Sequence, residues 1–199
     1  MEGDPLEEEL APLSRDAASL ASAGIEACGG DRVWIGRIQT FNVHGRQVYI
    51  GPHWYCTVLM VGVIVSVGTM FLFGVAMTLN VFHCVGGVLA TVGSAVTCLQ
   101  CALADPGILK PQPGSPGGLG DTIQFFPSTG KRKCTACDIA QPRGALHCEY
   151  CHVCVAGWDH HCPWMSKCIG EANLAAYWNF ICVSMGSLAY IVAVTVTSA

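Results

Sequence analysis

The chain has 199 residues, of which 12% are charged against roughly a quarter in soluble proteins, while 52% are hydrophobic and the mean hydropathy is positive. That balance excludes an ordinary single soluble domain. The 13 cysteines would suit a secreted disulfide scaffold, but such scaffolds carry neither this apolar excess nor this length.

Residues 1–31 hold eight acids and no apolar h-region, so they read as a disordered acidic tail without a cleaved signal peptide. Residues 32–53 form a juxtamembrane segment; Trp34, Ile35, Ile38, Phe41, Val43, Val48 and Tyr49 suit extended chain or a stretch lying on the membrane surface. From Trp54 to Ala104 there is no Asp, Glu, Lys or Arg, a run long enough for two crossings of about 20 residues each. Asn80, Phe82 and His83 interrupt its Val/Leu/Gly pattern, which predicts helices near 55–77 and 84–104 joined by a tight turn between Asn80 and His83. Gly62/Ser66 and Gly86/Ala90 have the small-residue spacing that lets helices approach closely.

Residues 105–130 open with Asp105-Pro106-Gly107 and are rich in Pro and Gly, the composition of a linker or irregular strap. Residues 131–174 hold a cysteine-rich segment, and 175–199 supply a third uncharged span. The fold class is therefore an α-helical integral membrane protein with three transmembrane helices and a small, loop-rich, zinc-stapled domain. All ten Lys and Arg lie before the first crossing or between the second and third. The positive-inside rule then puts the N-terminus and the cysteine-rich segment in the cytoplasm.

Between Cys134 and Cys168 lie seven of the 13 cysteines and four of the seven histidines. Thiols on the cytoplasmic side stay reduced, so metal binding is the better reading than disulfides. A Cys-x-x-Cys turn offers zinc two thiolates from one backbone bend, and Cys134/Cys137 and Cys148/Cys151 are such pairs, with Cys154 one step further. His147 and Cys148 are adjacent and would crowd one ion, which favours interleaving: His147 with Cys134/Cys137, Cys148 with Cys151. Two zincs need eight ligands, and eleven Cys and His are on offer.

The surplus falls within Trp158-Asp159-His160-His161-Cys162-Pro163-Trp164. A carboxylate, an imidazole and a thiol in this order contain the parts of a nucleophilic site, with Cys162 as thiolate, a histidine as base and Asp159 orienting it. The residue pattern leaves His160 and His161 both open as the base. Residues 131–171 carry five basic and four acidic residues with no basic stripe, which argues against nucleic acid as a partner.

The spacing Cys134-x2-Cys137-x9-His147-Cys148-x2-Cys151-x2-Cys154-x4-Asp159-His160-His161-Cys162-Pro163-Trp164-x3-Cys168 resembles the cysteine-rich domain of the DHHC protein S-acyltransferases, or palmitoyltransferases. Asp105-Pro106-Gly107 and Gly170-x-x-Asn173-x3-Tyr177 add to the resemblance. It implies one zinc on Cys134, Cys137, His147 and Cys154, a second on Cys148, Cys151, His161 and Cys168, and a catalytic set of Asp159, His160 and Cys162. His152 is left over as a surface residue.

The same resemblance implies transfer of a long-chain acyl group from palmitoyl-CoA, through an acyl-Cys162 intermediate, to cysteines of membrane-associated substrate proteins. It further implies a multi-pass protein of the Golgi or endoplasmic reticulum, or of the plasma membrane, with its catalytic domain facing the cytoplasm. Lys131, Arg132, Lys133, Arg143 and Lys167 are candidates to meet the CoA phosphates, or to set topology alone. The family commonly has a fourth span followed by Thr-Thr-x-Glu. The sequence reads to Ala199 at the end of its third span, so the expectation is a C-terminally short member whose acyl cavity is closed differently, or completed in an oligomer or by a partner subunit. Two smaller departures are Lys167, where Asn often precedes the last ligand, and Gly144 after Pro142-Arg143. The rival expectation is a catalytically inactive zinc-domain membrane adaptor derived from the same family.

Overall fold

The computed structural model describes residues 25–28, 32–110 and 132–198. Four strands, β1 (Ile25–Cys28), β2 (Arg32–Ile35), β3 (Ile38–Val43) and β4 (Arg46–Ile50), form an antiparallel sheet in sequence order. The β3–β4 turn has positive φ at both His44 (50°) and Gly45 (79°), the backbone that matches the right-handed twist of a two-residue hairpin. Asn42 Oδ1 accepts from Gly45 N at 3.0 Å and secures it.

Ile35, Ile38 and Tyr49 are buried against Ile108, Cys148, Cys151, Val153, Val155 and Cys168. The segment is extended chain, and this face of it packs on the cysteine-rich segment. Ile25–Cys28 forms a strand within the stretch that reads as an acidic tail. It pairs with Arg32–Ile35, and a strand of four residues is invisible in a composition averaged over 31. At Gly36 (φ 58°) any side chain would run into the backbone of His152, so the β2–β3 turn can seat closely only with glycine there.

Among the described residues, three helices are long and apolar enough to cross a membrane: α1 (Trp54–Leu79), α2 (Val81–Leu103) and α3 (Leu174–Thr197). Most of their side chains face outward, as expected where lipid and not protein solvates the helix. The break between α1 and α2 is narrower than the sequence suggests. Asn80 alone is extended, and its Oδ1 accepts from the backbone of Phe82 (3.0 Å) and His83 (3.2 Å). It is an N-cap, so Phe82 and His83 belong to α2. A π-helical turn over Leu72–Ala76 interrupts α1.

Helix packing uses Gly86/Ala90 but not Gly62/Ser66. Gly86 faces Tyr190, whose hydroxyl lies 3.1 Å from His83 Nδ1, and Ser187 Oγ donates to Ala90 O (3.2 Å) and meets Ser94 Oγ (3.1 Å). Gly62 faces open space, and Ser66 donates back to Gly62 O; Gly68, against Thr91, makes the close approach instead.

Asp105–Lys110 is not a free linker. Asp105 Oδ1 accepts from the backbone of Gly107 (2.8 Å) and Ile108 (3.0 Å), and Leu109 N donates to Cys154 O (2.9 Å), binding this turn to the cysteine-rich segment. Residues 111–131 lie outside the described residues. Beyond them come three two-stranded hairpins: β5 (Arg132–Cys134) with β6 (Ile139–Gln141), β7 (Leu146–Cys148) with β8 (Val153–Val155), and β9 (His160–Cys162) with β10 (Lys167–Ile169).

Candidate active site and metal centres

Each Cys-x-x-Cys step is followed by a residue of positive φ, Asp138 (54°) after Cys137 and His152 (55°) after Cys151, which turns the chain sharply behind the second sulfur. That is the place of His152: an exposed turn residue outside both donor groups. Strand alternation then sorts the remaining donors. Consecutive His147 and Cys148 point to opposite faces of β7. Across the hairpin His147 pairs with Cys154, and in the next hairpin His161 pairs with Cys168.

The result is two groups, Cys134/Cys137/His147/Cys154 and Cys148/Cys151/His161/Cys168, each with its four ligand atoms within 4.8 Å of one another. His147 Nδ1 lies 3.2 Å from Cys137 Sγ and 3.8 Å from Cys154 Sγ. His161 Nδ1 lies 3.4, 3.5 and 3.7 Å from the sulfurs of Cys151, Cys148 and Cys168. The thiols are close enough to compete for protons. A hydrogen bond from Cys154 holds Cys137 below the usual thiol range, and the same bond pushes Cys154 up. Three sulfurs and one imidazole, mostly buried and crowded around one point, fit a tetrahedral divalent ion of the zinc type.

On β9 the alternation has a second effect. His161 faces its metal group, so His160 and Cys162, one residue to either side, share the opposite face. Their cross-strand neighbours there are Ile169 and Lys167. His160 Nδ1 lies 2.9 Å from Asp159 Oδ2, and its ring meets Tyr177 edge-on at 5.3 Å. Cys162 is buried, 7% exposed, among Cys98, Cys101 and Ala102 of α2, Met165, Ile169 and Phe180 of α3. Burial pushes its thiol up, while the backbone N–H groups of Met165 and Trp164 pull it back in part. Those amides belong to the single turn of 3-10 helix Pro163–Met165, which Thr57 Oγ1 ties to α1 by donating to Trp164 O at 2.9 Å. The thiol thus sits where the cysteine-rich segment meets the helix ends.

The basic candidates divide. Arg132 and Arg143 are exposed, Lys133 pairs with Asp138 at 2.7 Å, and Lys131 lies outside the described residues. Lys167 is fully buried and so is withdrawn as a partner for CoA phosphates. Its Nζ donates to Tyr49 O (3.0 Å) and to Ala102 O, and burial lowers its pKa to about 8. A cavity of about 680 Å³ lies between the sheet and the ends of α1 and α2, with Trp34, Trp54, Val58, Val61 and Leu103 in its wall; Cys162 does not line it.

Residues 128–199, which include both donor groups, the Asp159-His160-His161-Cys162 run and α3, match the family model for DHHC palmitoyltransferase. Over this segment the chain is similar to the DHHC palmitoyltransferase domain. No curated protein matches the chain. The DHHC match begins after the sheet and the first two helices, so the parts of the chain that cover Cys162 from the α2 side lie outside it.

Four contacts around the donor groups escape a reading by spacing, although Asn173 belongs to the family pattern and Lys167 reads from the sequence as a candidate for the CoA phosphates. Gln141 Nε2 donates to Cys154 Sγ at 3.1 Å. Fully buried Asn173 accepts from Gly170 N (2.9 Å) and donates to Cys168 O (3.2 Å), joining the last ligand to the start of α3. Lys167 and His53 are the others. The one hint for His53 is its place at the edge of the uncharged run.

Proposed function

We propose that this chain is a protein-cysteine S-palmitoyltransferase acting at the cytoplasmic face of a membrane, with Cys162 as nucleophile, His160 as base and Asp159 orienting it. The observation that carries the reading is the shared strand face: His160, held at Nδ1 by Asp159, and the buried Cys162 project from the same side of β9, next to the apolar ends of α2 and α3.

With Nδ1 engaged by the carboxylate, Nε2 of His160 is the nitrogen left to take the Cys162 proton, and Asp159 stabilises the resulting cation. The Cys162 thiolate attacks the carbonyl carbon of the acyl-CoA thioester; the new S–C bond forms, the bond to the CoA sulfur breaks, and the CoA thiolate takes the proton. His160 then takes the proton of a substrate protein's cysteine thiol; that sulfur bonds to the acyl carbonyl carbon, the bond to Cys162 Sγ breaks, and the Cys162 thiolate takes the proton to restore the free thiol. One thioester replaces another at each step, so the enzyme's work is positioning and thiolate formation. Cys98, Cys101, Phe180, Ile181 and Tyr177 offer the acyl chain an apolar start beside the sulfur. Zinc on the two donor groups would staple the hairpins and hold β9 in register.

Incubation of the purified chain with labelled palmitoyl-CoA tests the reading: it should form a hydroxylamine-sensitive adduct that Cys162→Ser abolishes. The adaptor reading draws on the burial that raises the Cys162 thiol; wild-type protein with two zincs and no adduct would establish it in place of the transferase.

A further inference from the structure

We infer that His53 is a positioning residue for the second metal group, acting through His161. His161 presents Nδ1 to the sulfurs of Cys148, Cys151 and Cys168, and its Nε2 lies 3.0 Å from Nδ1 of His53. A histidine that ligates through one nitrogen carries its proton on the other, so the Nε2–H of His161 donates and Nδ1 of His53 accepts.

Three further observations show that the ring is held for this contact. His53 occupies the N-cap position of α1, yet its side chain makes no capping hydrogen bond. Its backbone is pinned on both sides: its N–H donates to Ser166 O at 3.2 Å, and its carbonyl accepts from Cys56 N at 3.0 Å. The two imidazoles meet edge-on at 5.0 Å, and Tyr150 contacts both rings, at 6.0 Å from His53 and 4.8 Å from His161. The first membrane helix thereby supplies a residue to the surroundings of a metal centre that lies 108 residues further along the chain.

The inference rests on the reading of this group as a zinc site, and the test separates the two. Full-length protein in detergent is analysed for metal, and zinc transfer to a chromogenic chelator is followed in time. Wild type should hold two zincs. Loss of an outer partner to a metal-bound histidine typically weakens binding about 10–100-fold, so His53→Leu should release one zinc faster by that factor and leave the other unchanged. His53→Asn places an amide oxygen near the former Nδ1 and should return most of the retention. Equal release from His53→Leu and wild type, faster loss of both zincs together, or an Asn variant as fast as Leu would overturn the inference; fewer than two zincs in wild type would overturn the zinc reading itself. Should His53→Leu fail to fold, 15N-histidine spectra of the wild-type chain decide: an unprotonated His53 Nδ1 supports the inference, and a proton there refutes it.

Discussion

The ammonium of Lys167 donates to the carbonyl of Ala102 in the last turn of α2. In an unbroken helix that carbonyl would accept from the amide four residues on, but position 106 is proline and has no N–H. Lys167 supplies the missing donor and reaches Tyr49 O as well, so one buried cation joins α2, β4 and β10. Cation and helix C-terminus are also matched in charge.

Lys167→Met should therefore destabilise the fold although it removes a buried charge. Two buried carbonyls lose their donor, at roughly 1–3 kcal/mol each, offset in part by the desolvation no longer incurred. The expected result is a lower unfolding temperature in detergent; an unchanged one would show that water replaces the ammonium.

His160→Ala should reduce the rate of acyl-adduct formation by about 10²–10⁴, the usual contribution of a positioned general base. Asp159→Asn should fall short of that loss, because it leaves the imidazole in place and removes only its orienting carboxylate. Rapid-quench measurement of the adduct gives both rates.

The pH dependence follows from the raised Cys162 thiol. A thiol pushed up by burial is less ionised at neutral pH, so adduct formation should rise with pH until the thiolate dominates. Without His160 to take the proton, the rise should move to higher pH. A pH profile of single-turnover acylation for wild type and His160→Ala checks the direction.

Metal removal should unfold the hairpins and not merely slow the reaction. Each hairpin is only three residues per strand, and structural zinc contributes on the order of 10 kcal/mol to small folds of this kind. Cys134→Ser and Cys168→Ser should each lower zinc content and increase proteolysis within 132–169. Gln141→Leu, which removes one donor to Cys154, should show a much smaller effect.

Asn173→Ala tests the link between ligand and membrane helix. It leaves Gly170 N and Cys168 O unpaired in a fully buried place, so a loss of about 1–3 kcal/mol is expected. Thermal unfolding with zinc saturating would measure it.

The spans were legible in the sequence because a charge-free run of fixed length marks a membrane helix, and the two Cys-x-x-Cys pairs with His147 were legible from their spacing. The places of Cys154, His161 and Cys168 came from the family resemblance, because strand pairing and not spacing brings them to their groups. The sheet before α1 was not legible, because its buried face depends on a partner surface more than 100 residues away, reached through Ile38, Tyr49 and the close seat of Gly36. Lys167 misled for the opposite reason. A lysine normally reads as a surface group, and only the proline at 106 and the bend of three elements around it make a buried cation useful. His53 stayed hidden because its partner is a ligand whose outward nitrogen has no sequence signature.

The alternation of β9 has one more implication. In a strand of three residues, a slip of one position turns every side chain to the other face. His161 and Cys168 face each other across the hairpin, and a shared ion would lock them there, so the phase of the strand is set from behind Cys162. The metal group would then act as a tuning peg for the opposite face: by keeping His161 and Cys168 opposite each other it keeps Cys162 turned toward the ends of α2 and α3.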